Sequence, residues 1–230
     1  MTTRIDRIWP DPAEQLTDEA LMDAVDHDAV RLNFVSSIDG AATRDGLSGG
    51  LGGAADKRYF ELLRRVADVV VVGAGTVRAE GYGPMLVSRP RRGQPVFAIV
   101  TGELDLDPAS TIFTKAPVRP VIITTERATG RSAFREVADV VVAGSTRVDA
   151  ALAVEALRAR GLRRILCEGG PSLFGSFLAA DAVDELCLTV APTLEAGDAP
   201  RIAHGKTVPR DMTLASVHRS GDTLLLRYAR

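Results

Sequence analysis

Sulfur is scarce in this sequence, and what there is does not cluster. The only cysteines, Cys167 and Cys187, lie in apolar, strand-like segments with no CxxC spacing and no third or fourth sulfur. That excludes a disulfide framework and a thiolate zinc site, and predicts two buried thiols. Histidine is equally thin: His27, His204 and His218 are scattered and form no HExxH or His/Cys cluster, so no metal site is predicted. No apolar run reaches the length of a membrane span, and the N-terminal "MTTRIDRIWPDPAEQ" lacks the hydrophobic core of a signal peptide. A cytoplasmic protein is expected. Neither sign of charge dominates, with 28 basic against 30 acidic residues interspersed for a net charge of -2. That predicts no broad positive field for nucleic acid and no polybasic face for a membrane, leaving a small-molecule ligand as the expected partner.

What the sequence does have is a series of unbroken apolar runs: residues 29–35, 67–73, 95–101, 120–125, 138–144 and 163–169. Their Val and Ile content suits strands buried on both faces, not the alternation of a half-exposed sheet. Between them lie helical patterns at 54–66, 149–161 and 172–181, so the chain reads as an α/β fold around a largely parallel sheet. The C-terminal pieces "MTLASVHRSG" and "DTLLLRYAR" read as an antiparallel hairpin turning at Ser220 to Asp222. The even composition supports a single domain over residues 29–230, with 1–28 as an extension in which "LTDEALMDAV" reads as a helix. "SRPRRGQP" (88–95) reads as a basic, proline-bounded surface loop.

Ligands of open α/β sheets bind beyond the carboxyl ends of strands. Two strand ends stand out here, "VVVVGAGTVRAE" (69–80) and "ILCEGGPSLFG" (165–175), each placing glycines after a buried run. The first carries Gly73 and Gly75 but has Arg78 where a dinucleotide fingerprint needs its third glycine, so a standard Rossmann domain is not supported. The second leads through Pro171, a good first-turn residue, into a helix. "GLSGG" (46–50) formally matches a nucleophile elbow around Ser48, yet it lies in a polar glycine-rich stretch without the required strand and helix, and a loop is the better reading. "SSIDG" (36–40) sets Asp39 just after the first strand, as turn chemistry or as a carboxylate facing a pocket.

In this order and spacing, "FVSSIDGAAT", "VVVVGAGTVRAEGYGP" and "ILCEGGPSLFGSFLAADAVDELCLTVAPTL" resemble the reductase domain of the bacterial riboflavin biosynthesis protein RibD, within the wider dihydrofolate-reductase-like group. The resemblance implies a three-layer dihydrofolate-reductase-like fold, a mixed and mainly parallel sheet with helices on both faces, and a homodimer. It implies NADPH as cofactor and reduction of a ribosylaminopyrimidine, 5-amino-6-(5-phosphoribosylamino)uracil or a close relative, to its ribitylamino product. Neither HxE nor PCxxC occurs, so no deaminase half is expected.

Carried over by position, the resemblance implies cofactor contacts from Thr43, Ser48 and Gly50 of the glycine-rich loop, and from Gly73, Gly75, Thr76 and Glu80 at the GAGTV strand end. Thr101 and Gly102 match a further cofactor contact. Gly169, Gly170, Pro171, Ser172, Leu173, Phe174, Gly175 and Ser176 match the segment that holds the cofactor phosphates, with Gly169–Gly170 as a cis peptide. Asn33, standing where many bacterial members carry lysine, and Arg64 and Glu168 match substrate contacts. Glu168 and Asp39 are expected near the reacting centre, Glu168 to anchor polar groups of the substrate and Asp39 to orient them or assist proton transfer. For the 2′-phosphate of NADPH, Arg78, Arg127 and the "RPRR" loop are open candidates. Alternative readings are a related reductase of another pterin or pyrimidine, a serine hydrolase through Ser48, and a nucleotide-binding protein without catalysis.

Overall fold

The computed structural model describes residues 3–230. Ten strands among the described residues form one sheet: β1 (Asp6–Trp9), β2 (Ala29–Ser37), β3 (Val69–Gly73), β4 (Val96–Val100), β5 (Val121–Thr124), β6 (Asp139–Val142), β7 (Arg164–Cys167), β8 (Glu185–Ala191), β9 (Thr213–Ser220) and β10 (Thr223–Ala229). Their spatial order is β1-β9-β10-β8-β2-β7-β3-β4-β5-β6. From β8 to β6 every neighbouring pair is parallel, and β10, β9 and β1 extend the sheet antiparallel at the other side. This is the mixed, mainly parallel sheet with a C-terminal hairpin that the sequence implied.

Helices α1 (Asp18–Asp23), α2 (Ala54–Val66), α3 (Ala74–Ala79), α4 (Thr111–Thr114), α5 (Ala150–Arg158) and α6 (Pro171–Ala179) cover the sheet. The valines of β3 show why both faces need covering. Val70 and Val72 pack with Leu62, Leu63 and Val66 of α2, while Val69 and Val71 pack with Val154 and Leu157 of α5 and Phe177 of α6. Successive strand side chains point to opposite faces, so an unbroken valine run demands a layer on each side. Ile5, Leu21, Met22 and Val25 of the N-terminal segment join the α2 layer, and β1 pairs with β9 with a register shift between Arg7 and Trp9. The loop read as a basic surface stretch is tied down, because Asp26 receives Arg91, Arg92 and Arg164.

Where the parallel part of the sheet meets the antiparallel part, charges are buried. Arg31 donates from Nε to Glu185 at 2.6 Å, and Arg227 and His27 reach the other carboxylate oxygen at 2.8 and 2.9 Å. His218 on β9 is also buried, and its Nδ1 has no hydrogen-bond partner among the described residues. Burial, with Arg7 and Arg227 nearby, pushes its pKa down from the ordinary 6.5 to about 4.

A pH dependence follows. The unfolded chain binds the His218 proton at higher pH than the folded chain, so this residue lowers stability as pH falls from 6.5 toward 4. The slope is at most about 1.4 kcal/mol per pH unit. Urea midpoints measured across that window should fall less in His218→Phe than in the parent. Equal falls would locate the acid sensitivity elsewhere.

Candidate active site

Three strand ends converge. β7 lies between β2 and β3, so the residues after Ser37, Cys167 and Gly73 emerge side by side at one edge of the parallel sheet. The two glycine-bearing junctions singled out in the sequence touch directly: Gly73 N donates to Gly169 O at 2.7 Å, and Glu168 N donates to Val71 O at 3.0 Å. In front of them opens a cavity of about 610 Å3. Among its lining residues are Asn33, Thr43, Ser48, Arg64, Gly75, Thr76, Glu80, Glu168, Gly170 and Pro171, all expected from sequence.

The glycines of the β7 junction are required by close approach. A Cβ on Gly169, whose φ is +92°, would stand 2.6 Å from Phe34 Cζ, and one on Gly170 would stand 2.6 Å from Thr76 Oγ1. The Gly169–Gly170 peptide is cis, as the resemblance implied. Gly170 is the N-cap of α6, with Pro171 in the first turn and no side-chain cap. The Ser172 amide is therefore a backbone donor at the positive end of the helix dipole, close to the cavity wall.

Glu168 is deeply placed, with its side chain only 1% exposed. Arg64 grips it with two prongs, Nε to Oε1 at 2.6 Å and Nη2 to Oε2 at 2.8 Å, and the Tyr82 hydroxyl donates to Oε2 at 2.8 Å. Planar bidentate geometry fixes orientation as well as charge. The Arg64 guanidinium lies over the Phe60 ring at 4.1 Å from its centroid. Burial, followed by the charge of Glu168, holds the Tyr82 hydroxyl well above its ordinary range, so it donates rather than ionises. Asp56, Phe60 and Arg64 all line the cavity. They are spaced at i, i+4 and i+8 on α2 and so share the face that looks away from Tyr59, Leu62 and Leu63 in the core. Phe60, Tyr82 and Asp56 were not singled out in the sequence. The four-residue spacing back from Arg64 is the signal that points to the two on the helix.

Other expected residues stand elsewhere. Asp39 does not line the cavity; its carboxylate accepts from the Ser37 hydroxyl at 2.5 Å and from the Ala196 amide at 2.7 Å, and these bonds hold it down to about 2. It clamps the loop after β8. Thr101 is buried and accepts from Leu104 N, while exposed Gly102 offers its carbonyl to Thr125. Gly50 packs against Arg44. Beyond Pro171, Phe174 stacks on Phe34 at 4.9 Å, Gly175 lies under the His204 carbonyl, and Ser176 donates to the Ser172 carbonyl. Leu173 packs with the α5–α6 layer. Ser48 offers its amide to Glu80, and no histidine lines the cavity to activate its hydroxyl. Arg78, Arg127 and the arginines of 89–92 do not line it either.

The family model for the RibD C-terminal domain matches residues 28–226. The chain belongs to the RibD C-terminal domain family. It is 30% identical over 210 residues to the 2,5-diamino-6-ribosylamino-4(3H)-pyrimidinone 5′-phosphate reductase of Methanothermobacter thermautotrophicus, covering 86% of this chain and 96% of that one. Among solved structures it is similar to a pyrimidine reductase-like protein from Corynebacterium diphtheriae, with a TM-score of 0.80, 27% identity and coverage of 93% of this chain and 98% of that one. The deaminase/5-amino-6-(5-phosphoribosylamino)uracil reductase of Thermotoga maritima shares the fold at a TM-score of 0.67 and 21% identity, covering 88% of this chain and 56% of that one. Membership of this RibD-type reductase family implies a nicotinamide cofactor.

Removing Arg64 tests how the site is held. Arg64→Met leaves the Glu168 carboxylate buried without its cation, which should cost about 3–5 kcal/mol of stability. Adding Glu168→Gln should restore part of the loss. A double variant as unstable as the sum of the singles would mean that the pair is not coupled.

Proposed function

We propose that the protein reduces a ribosylaminopyrimidine of riboflavin synthesis to its ribitylamino product, using NADPH. The observation that carries this reading is the union of a glycine-walled strand-end junction and a buried, arginine-oriented carboxylate in one cavity, in a chain of the RibD C-terminal family. The relative from Methanothermobacter thermautotrophicus, which this chain matches over most of its length, is named as such a reductase.

Opening of the ribosylamine ring gives an imine; its reduction puts hydride on the former anomeric carbon and a proton on the nitrogen. A bound nicotinamide supplies the hydride. The residues present fit such a group: the Gly170 turn leaves no side chain between the cavity and Thr76, and the Ser172 amide at the α6 N-terminus is available to an anionic group. Glu168 anchors N–H or hydroxyl groups of the substrate. Arg64 and Tyr82 hold that carboxylate in one orientation, and Phe60 and Met85 supply apolar wall. Asp39 serves at one remove, by fixing the 195–196 loop. The protein works as a cytoplasmic homodimer in this reading; exposed Ile38 and Leu194, brought close by the Ile38 N to Thr193 O bond, offer apolar contact for a second copy.

Adding 2,5-diamino-6-ribosylamino-4(3H)-pyrimidinone 5′-phosphate or its uracil analogue should cause NADPH oxidation, with a ribityl product identified by mass. Glu168→Gln should lower kcat/KM on the order of a hundredfold. NADPH binding without turnover of either pyrimidine would favour the binding-module reading, and equal efficiency with NADH would remove the NADP assignment.

A further inference from the structure

Three carboxylates line the cavity, Asp56, Glu80 and Glu168, and they differ in how they are held. Glu168 takes Arg64 and Tyr82, and Glu80 accepts the Ser48 amide at 2.8 Å. Asp56 has no arginine on it, and its side-chain hydrogen bond is to the Thr189 hydroxyl. It sits in the first turn of α2, half-buried, with only the Thr189 hydroxyl and the Lys57 ammonium acting on it. Burial raises its pKa, and these two neighbours only partly offset that. Gly52 lies directly against it: a side chain there would collide with Asp56 Oδ2, so the carboxylate rests in a slot fitted to it. A carboxylate desolvated to this degree gains most from donors that a ligand brings.

The two substrate types differ in what they could bring. A 2-amino-4(3H)-pyrimidinone presents its exocyclic amine and its ring N3–H side by side, two donors with the spacing of a carboxylate's two oxygens. A uracil presents N3–H beside a carbonyl oxygen, so one carboxylate oxygen would face another acceptor with nothing between them. Phe60, one turn further along the same face of α2, offers its ring as a wall beside which a planar heterocycle fits.

We propose that Asp56 selects the substrate, accepting the 2-amino N–H and the N3–H of a 2-amino-4-pyrimidinone ring together and disfavouring the uracil ring. The inference rests on the reduction of ribosylaminopyrimidines proposed above. It also fixes the chemical order: the protein acts on the ring before hydrolytic loss of the 2-amino group, so a deaminating reaction consumes its product and does not supply its substrate.

The test is kcat/KM for NADPH oxidation with 2,5-diamino-6-ribosylamino-4(3H)-pyrimidinone 5′-phosphate and with 5-amino-6-ribosylaminouracil 5′-phosphate, on the parent and on Asp56→Asn. The parent should prefer the diamino compound by at least ~10-fold, since a site built to pair with a substrate donor rejects the analogue that lacks it. Asparagine offers one acceptor and one donor, the match for uracil, so Asp56→Asn should narrow or reverse the ratio with NADPH affinity unchanged. Equal use of the two substrates by the parent, a preference for uracil, or equal losses on both in the variant would overturn the assignment. Turnover without selection removes this inference alone; no turnover of either compound removes the proposed reduction and this inference with it. If Asp56→Asn fails to fold, the parent ratio decides.

Discussion

The ion pair between Arg64 and Glu168 joins a helix to a strand end 104 residues away in the chain. An amphipathic helix held only by its apolar side can slide and roll by small amounts, because hydrophobic contact is non-directional. A two-pronged salt bridge is directional. It fixes the rotational phase of α2 against the sheet, and with it the direction of Phe60 and Asp56 one and two turns earlier. Tyr82 brings the segment after α3 to the same carboxylate, so three separate stretches of chain meet at Glu168. A buried pair of this kind adds little net stability over an apolar replacement, and its contribution here is alignment.

The sheet order makes that alignment useful. Because β7 is inserted between β2 and β3, its end faces the ends of both neighbours, and the glycine turn can lie against Phe34 on one side and Thr76 on the other. Asp39 closes the arrangement from outside. It is an exposed carboxylate held far below its usual range, first by the Ser37 hydroxyl and then by the Ala196 and Glu195 amides, and it keeps the long connection after β8 in place beside the cavity mouth.

Much of this was legible beforehand. The α2 pattern over 54–66 matches the observed helix, and each apolar run holds a strand, with β2 running two residues past its run to Ser37, because periodicity and β-branched content report burial directly. β1 was not foreseen: "DRIW" is four residues long at the sheet edge, too short and too mixed to show a period. α3 was hidden by its own glycine, since "AGTVRA" begins a helix where the sequence looks like the tail of a strand. In the site, Glu168 and Arg64 were visible through their motifs, whereas Tyr82 and Asp56 depend on the path of a loop and the phase of a helix. Asp39 shows the opposite error. Its position after β2 gave nearness to the cavity but not direction, and its partners at 195 and 196 lie too far along the chain to be guessed.

The cavity walls are unequal in what they tolerate. On the β7 side, Gly169 and Gly170 are locked against Phe34 and Thr76, so an added Cβ there must displace one of those side chains, and at Gly169 the residue would also have to adopt a left-handed backbone. In the segment after α3, Gly83, Pro84 and Leu86 also line the cavity, Leu86 is 64% exposed, and a Cβ at Gly83 would meet nothing within 4 Å. A change in the shape of this cavity therefore has one open direction. Side chains can grow at Gly83 and Leu86 without meeting a neighbour, whereas the glycine wall admits none.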